Sequence, residues 1–169
     1  DDWTKEKITF DAAYGNERII AYFFIPKNVP TPYQTVVLFP GTNVIERKNS
    51  EHLESSRWFD FLIKDGRAVL YPIYKGTYER NDGLTYDILD SMESQKYAYA
   101  DYVVKWVKDF RRSLDFLETR TDVDMSKIAY HGTSWGGDMG NIILAVEKRI
   151  KAGILRLGGL AWWGTLLPE

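Results

Sequence analysis

Six consecutive residues, Gly132-Thr133-Ser134-Trp135-Gly136-Gly137, carry the pattern in this chain best suited to covalent chemistry. A serine with glycine two positions away on either side can occupy a backbone bend too cramped for side chains at its shoulders, its hydroxyl thrust outward as a nucleophile. The pattern has this meaning only between a strand and a helix. Both flanks qualify, since residues 127–131 (KIAYH) read as a strand and 135–149 as a helix. Gly132 and Gly136 provide the room at the bend, and Gly137 and Gly140 extend the close helix–sheet contact. A serine so placed opens a helix, where the Trp135 N–H has no intrahelical acceptor and the helix dipole favours negative charge. The chemistry implied is attack on a carbonyl carbon, with backbone N–H groups holding the oxyanion that forms.

A second oxyanion donor should come from the loop after another strand. Residues 34–39 (QTVVLF) are a short apolar run closed by Pro40-Gly41-Thr42-Asn43, in which Gly41 permits a sharp turn and the N–H of Thr42 or Asn43 is available. A general base is harder to find, because the chain has only two histidines, His52 and His131. His131 ends the strand before Ser134 and is expected to pack within the sheet; His52 lies in a polar stretch and is expected at the surface. Asp138 is expected to complement the helix N-terminus, and Asp122 and Asp124 to serve turns or caps. No His/Asp/Glu cluster has metal spacing and no glycine-rich loop fits a phosphate, so neither a metal nor a cofactor is expected.

The elements that must position these groups follow from pattern. Residues 8–11 and 18–25, separated by Gly15-Asn16, predict an antiparallel hairpin, and Pro26 through Pro32 a loop. A helix is expected over 55–64 and a strand over 67–71. Residues 72–93 form a long irregular stretch whose Tyr74, Tyr78 and Tyr86 suggest a pocket wall or lid. A helix over 94–118 carries an apolar stripe of Val103, Val107, Phe110, Leu114 and Leu117, with Asp101, Lys105, Lys108, Asp109, Arg112 and Asp115 assigned to the other side. A strand over 152–157 comes last. Strands alternating with helices after a hairpin imply an α/β fold: a mostly parallel sheet covered on both faces, with ligands at the carboxyl ends of its strands.

In FFIPKN, VVLFPGTN, GRAVLYPIYKGTYER and YHGTSWGG the chain resembles the α/β-hydrolase superfamily, and within it the dienelactone-hydrolase and prolyl-oligopeptidase-like serine esterases. The resemblance covers nearly the whole chain. It implies that Ser134 is the nucleophile, that the Trp135 and Thr42 amides form the oxyanion hole, and that Tyr74 and Tyr78 wall the pocket. The substrate it implies is a small-molecule ester, the rivals being a peptidase of the prolyl-oligopeptidase type or a non-catalytic binding domain. The family places an acid and then a histidine after the nucleophile, on later strand ends. No histidine follows Ser134 here. Residues 1–169 are therefore read as a single incomplete α/β-hydrolase domain lacking its last strands and helices, completed by a C-terminal polypeptide that supplies the base. Without such cover, the last strand and Leu160, Trp162, Trp163, Leu166 and Leu167 would be an exposed apolar edge.

Composition agrees with one globular domain. The 169 residues include 44% hydrophobic and 15% aromatic side chains, too many for a disordered chain. A net charge of −2 supplies no broad basic surface for nucleic acid, and the short basic clusters Arg111-Arg112 and Lys148-Arg149 read as solvated helix faces or ends. No apolar run reaches the roughly 20 residues needed to span a bilayer. The absence of cysteine excludes disulfides and thiolate metal sites and implies no compartment. A start at Asp1, without Met, reads as a processed or excised piece.

Overall fold

The computed structural model describes residues 3–27, 29–53, 58–90 and 96–158. Two strands, β1 (Trp3–Asp11) and β2 (Arg18–Pro26), form the expected antiparallel hairpin. Its tip is a tight turn in which Gly15 and Asn16 both take positive φ, 63° and 50°, and the Glu17 N–H reaches back to the Tyr14 carbonyl at 3.4 Å. Two successive left-handed residues match the right-handed twist of the flanking strands, which is why Gly-Asn is favoured there. Among the described residues β1 pairs on one side only, and it largely alternates in exposure.

The rest of the sheet is built from β3 (Tyr33–Phe39), β4 (Ala68–Pro72), β5 (Val123–Thr133) and β6 (Ile150–Arg156). The order across the described sheet is β1-β2-β4-β3-β5-β6, with β2 antiparallel to β4 and the four strands from β4 to β6 mutually parallel. All five residues of β4 and the last five of β3 are buried, because a parallel strand covered by helices has no solvent face.

Pairing fixes which side chains share a face. Tyr22 opposes Tyr71, Leu38 opposes His131 and Thr133 opposes Arg156, so these lie on one side of the sheet; Tyr130, Gly132 and Leu155 lie on the other. The first face is covered by α1 (Asp60–Lys64), led in by Phe59, whose ring packs on Phe24 and Tyr71. The second face carries the long α3 (Lys96–Glu118) and α4 (Trp135–Val146). From α3, Trp106, Phe110, Leu114 and Leu117 are fully buried, and Phe110 meets Tyr130 of β5.

Residues 73–85 are held by charge as well as by the apolar packing of Ile73, Tyr74, Tyr78 and Leu84. Asp109 of α3, assigned from its spacing to the solvent side, is fully buried. Its carboxylate pairs with the buried Arg80 guanidinium and accepts bonds from the Tyr14 hydroxyl (2.7 Å) and the Lys75 N–H (2.9 Å). Arg80 also donates to the Ile73 carbonyl at 2.8 Å, and the Lys75 ammonium bridges Glu17 and Asp82. Burial pushes the Asp109 carboxyl upward, opposed by the Arg80 charge and by the hydrogen bonds it accepts. One buried ion pair thus ties hairpin, loop and α3 together. The loop it holds contains a 3₁₀ turn (Tyr78–Arg80) and leads into a short helix, α2 (Tyr86–Asp90).

Several boundaries move. β1 starts at Trp3, and β5 runs from Val123 through the polar residues read as a turn, because its backbone stays in the ladder across an irregularity near Tyr33/Thr35. Within that segment Asp124 accepts the Ser126 N–H at 3.0 Å, the local capping expected of it. α4 ends at Val146, and β6 spans Ile150–Arg156. The expected helix residues 55–57 and 94–95, together with Leu160, Trp162, Trp163, Leu166 and Leu167, lie outside the described residues. β6 ends the described sheet, and Ile154, Leu155 and Leu157 are 48, 37 and 79% exposed.

Candidate active site

Ser134 lies between β5 and α4 with φ 54° and ψ −116°, a backbone that L residues avoid. The glycines explain how the bend closes. A Cβ on Gly132 would stand 2.1 Å from the Gly136 carbonyl oxygen, and one on Gly136 would stand 2.2 Å from the Phe39 carbonyl oxygen of β3. The Gly136 N–H donates to the Pro40 carbonyl at 3.0 Å, the Ser134 N–H to the Arg156 carbonyl at 2.7 Å, and the Tyr130 hydroxyl to the Gly136 carbonyl. The bend is therefore fastened to β3 on one side and to β6 on the other.

The loop after β3 comes alongside. A Cβ on Gly41 would lie 3.6 Å from the Ser134 Cβ. Thr42 then opens a 3₁₀ turn (Thr42–Val44), so its amide, like that of Trp135 at the start of α4, precedes the first hydrogen bond of its own element. The Thr42 carbonyl accepts the Ile45 N–H at 3.0 Å and the Tyr86 hydroxyl at 3.2 Å. Beneath the loop, the Trp135 ring packs edge-on between Phe39 and Trp106, at 4.9 and 4.6 Å between centroids.

Ser134 opens into a cleft of about 350 Å³ on the α1 face of the sheet, at the carboxyl ends of β3, β5 and β6. Gly41 and Thr42 form its rim beside Ser134, and Trp58, Phe59, Tyr71 and Leu157 give it apolar walls. Tyr74 and Tyr78, expected as walls, are not among the lining residues. Tyr74 is fully buried on the opposite side of the β3 backbone, stacked 4.0 Å from Phe39 with its hydroxyl donated to the Leu38 carbonyl at 2.9 Å. Tyr78 is buried beside a separate hollow formed with Leu84 and Tyr86. Register explains the difference: Tyr71 sits on the cleft face of β4, whereas Tyr74, beyond the strand's end, folds onto the other.

His131 is 7% exposed and lines the floor of the cleft. Burial, and secondarily the Arg156 charge, lower its pKa, so the imidazole is neutral at neutral pH. His52 is exposed and does not line the cleft. Two lining residues were not legible as such. Trp58, 51% exposed, holds the Arg156 guanidinium 4.3 Å from its ring centre. Only the β5–β6 register, which sends Arg156 to the same face as His131, brings that pair over the cleft. Among the described residues no group of His, Asp and Glu side chains could hold a metal ion, and no helix is long and apolar enough to cross a membrane.

Neither a protein-family model nor a curated protein matches the sequence. Solved structures do. An acetyl xylan esterase from Paenibacillus sp. R4 superposes with a TM-score of 0.69 at 21% identity, over 98% of this chain and 52% of the esterase. A dienelactone hydrolase-like promiscuous phosphotriesterase from metagenomic libraries gives 0.65 at 22% identity, over 94% and 61%. The acylaminoacyl peptidase of Pyrococcus horikoshii gives 0.66 at 17% identity, over 96% and 24%. The chain has the α/β-hydrolase fold. It spans between about a quarter and three fifths of the length of these three proteins, corresponding to the part of the fold from the N-terminal hairpin through β6.

Proposed function

We propose that this chain is the nucleophile-bearing portion of a serine hydrolase acting on carboxylic esters. The observation that carries the reading is the strained Ser134 backbone at a strand-to-helix bend, facing a cleft and flanked by two amides without acceptors in their own elements. Ser134 Oγ attacks the ester carbonyl and a new C–O bond forms. The hydroxyl proton passes to a base, and the Trp135 and Thr42 N–H groups hold the oxyanion. Collapse expels the alcohol, which takes that proton, and water then releases the acid from the acyl-enzyme. The base and the acid that orients it come from polypeptide outside these 169 residues. Two observations support that part: among the described residues His52 does not line the cleft and His131 is held in the sheet at 7% exposure, and β6 ends the described sheet with Ile154, Leu155 and Leu157 partly or largely exposed.

A fluorophosphonate probe tests the nucleophile. The full-length protein should be labelled and Ser134→Ala should not; a full-length protein that takes no label is a non-catalytic binding domain instead. A peptidase on the same scaffold is the rival within the enzyme class, as the acylaminoacyl peptidase among the structural neighbours illustrates. Faster turnover of aminoacyl p-nitroanilides than of short p-nitrophenyl esters would reverse the choice.

A further inference from the structure

We infer that Asn81 and Tyr86 are positioning residues for acyl transfer, holding the turn 42–45 from behind the cleft so that its leading amides stay aimed at the reacting centre. The inference rests on the hydrolase reading and adds the groups that keep its oxyanion loop in place.

Residues 78–81 send four successive side chains to four different places. Tyr78 takes φ 47°, left-handed backbone that a bulky residue avoids, and is buried. Glu79 Oε1 accepts the N–H and the hydroxyl of the fully buried Ser50, both at 2.9 Å. Arg80 turns inward to Asp109. Asn81 turns back to the loop after β3, where its Nδ2 donates to the Ile45 carbonyl at 2.8 Å while its Oδ1 accepts the Gly83 N–H at 2.9 Å. Strain at a residue like Tyr78 persists only where its surroundings over-determine it, and these divergent bonds do so. Further along, the Tyr86 hydroxyl donates to the Thr42 carbonyl at 3.2 Å. The turn 42–45 is thus gripped at its first residue and its last, by a segment anchored to α3 through Arg80.

Val44 and Ile45 are buried and hold the same turn against the core. Apolar burial has no direction, however, so it leaves the peptide planes free to tilt. Hydrogen bonds set them. A trans peptide places its N–H opposite its carbonyl. The Thr42 carbonyl, held by the Ile45 N–H and the Tyr86 hydroxyl, therefore fixes the direction of the Asn43 N–H in the same peptide group. Thr42 and Asn43 line the cleft with Ser134, whereas Asn81 and Tyr86 do not, so these two act through the turn and not on the substrate. Oxyanion donors work by being preset where charge develops, so loosening them weakens transition-state binding and leaves substrate binding alone.

The test uses the full-length protein and p-nitrophenyl butyrate. Tyr86→Phe removes one hydroxyl; Asn81→Asp keeps the acceptor for Gly83 but faces the Ile45 carbonyl with an oxygen. Deleting a whole oxyanion donor costs about 10²–10³ in kcat, and loosening one should cost less. At unchanged KM, kcat should fall about 3- to 10-fold in Tyr86→Phe, whose bond is the longer, and about 10- to 50-fold in Asn81→Asp. Inhibition by propylboronic acid, whose adduct with Ser134 sets an oxygen in the oxyanion position, should weaken by matching factors. A merely structural role would lower Tm and the active fraction without moving that inhibition constant. Unchanged kcat and boronate inhibition in Tyr86→Phe overturn the inference and leave the hydrolase reading intact. Amide exchange at Ile45 and Arg47, whose N–H groups close the turn, reads the grip without turnover. Faster exchange in Tyr86→Phe, in a protein that takes no fluorophosphonate and cleaves no ester, upholds the grip and rejects the hydrolase reading. Exchange unchanged in both variants removes the grip.

Discussion

The backbone of Ser134 makes a prediction that runs against ordinary intuition about active-site mutations. At φ 54° and ψ −116° the residue sits where a Cβ collides with its own chain, a conformation that costs about 1–3 kcal/mol for a non-glycine residue. Replacing Ser134 by glycine removes the Cβ and most of that strain, while the added freedom of the unfolded chain takes back about 0.5–1 kcal/mol. The net expectation is a protein more stable by about 1 kcal/mol and inactive, corresponding to about 2–4 °C in Tm for a domain of this size. Ser134→Ala is the control, because it removes the same hydroxyl but keeps the Cβ and hence the strain. Urea and thermal unfolding of the three proteins, followed by circular dichroism, should rank Ser134→Gly above both others. If Ser134→Gly proves no more stable than Ser134→Ala, the bend is not strained in solution and the argument for an enforced nucleophile fails.

Other perturbations address the supports of the site. Gly136→Ala drives a methyl into the Phe39 carbonyl, backbone against backbone, and should cost at least the upper end of the ~1–3 kcal/mol typical of overpacking, read as a lower urea midpoint. Asp109→Asn leaves the buried Arg80 guanidinium with Glu17, at 3.4 Å, as its remaining acidic partner; a loss of about 3 kcal/mol and faster amide exchange across residues 73–85 are expected. His131 has its pKa lowered by burial, so the unfolded chain binds its proton more readily. Stability is then full above about pH 6.5 and declines as the pH falls through the depressed folded value. His131→Gln should flatten that part of the pH–stability profile between pH 5 and 7, whereas an unchanged slope would assign it to other groups.

Much of the scaffold could be read from the sequence because it is written in local signals. The runs TVVLF and AVL lack the alternation of a half-exposed strand, and the Gly-x-Ser-x-Gly bend carries its steric requirement in the glycines themselves. What escaped was set by partners distant in the chain. Asp109 falls among charged residues on a helix, and only the return of Arg80 and Tyr14 from far upstream turns it inward. Tyr74 reads as a wall residue by its neighbourhood, yet a bond to the Leu38 carbonyl draws it under the loop it was expected to face. The aromatic residue that does reach that loop is Tyr86, through the Thr42 carbonyl. Arg156 is ordinary in composition; its position depends on register with β5, which no single-strand pattern reveals.

The contact between Gly136 and the backbone at Phe39 and Pro40 has a consequence for how such a protein can diversify. Because the turn that presents the hydroxyl and the loop that faces it are bolted together through main-chain atoms, neither can drift without dragging the other. Natural variation or laboratory selection for new specificity is thereby channelled to Trp58 and Leu157, exposed side chains of the cleft that can be exchanged without disturbing the reacting geometry.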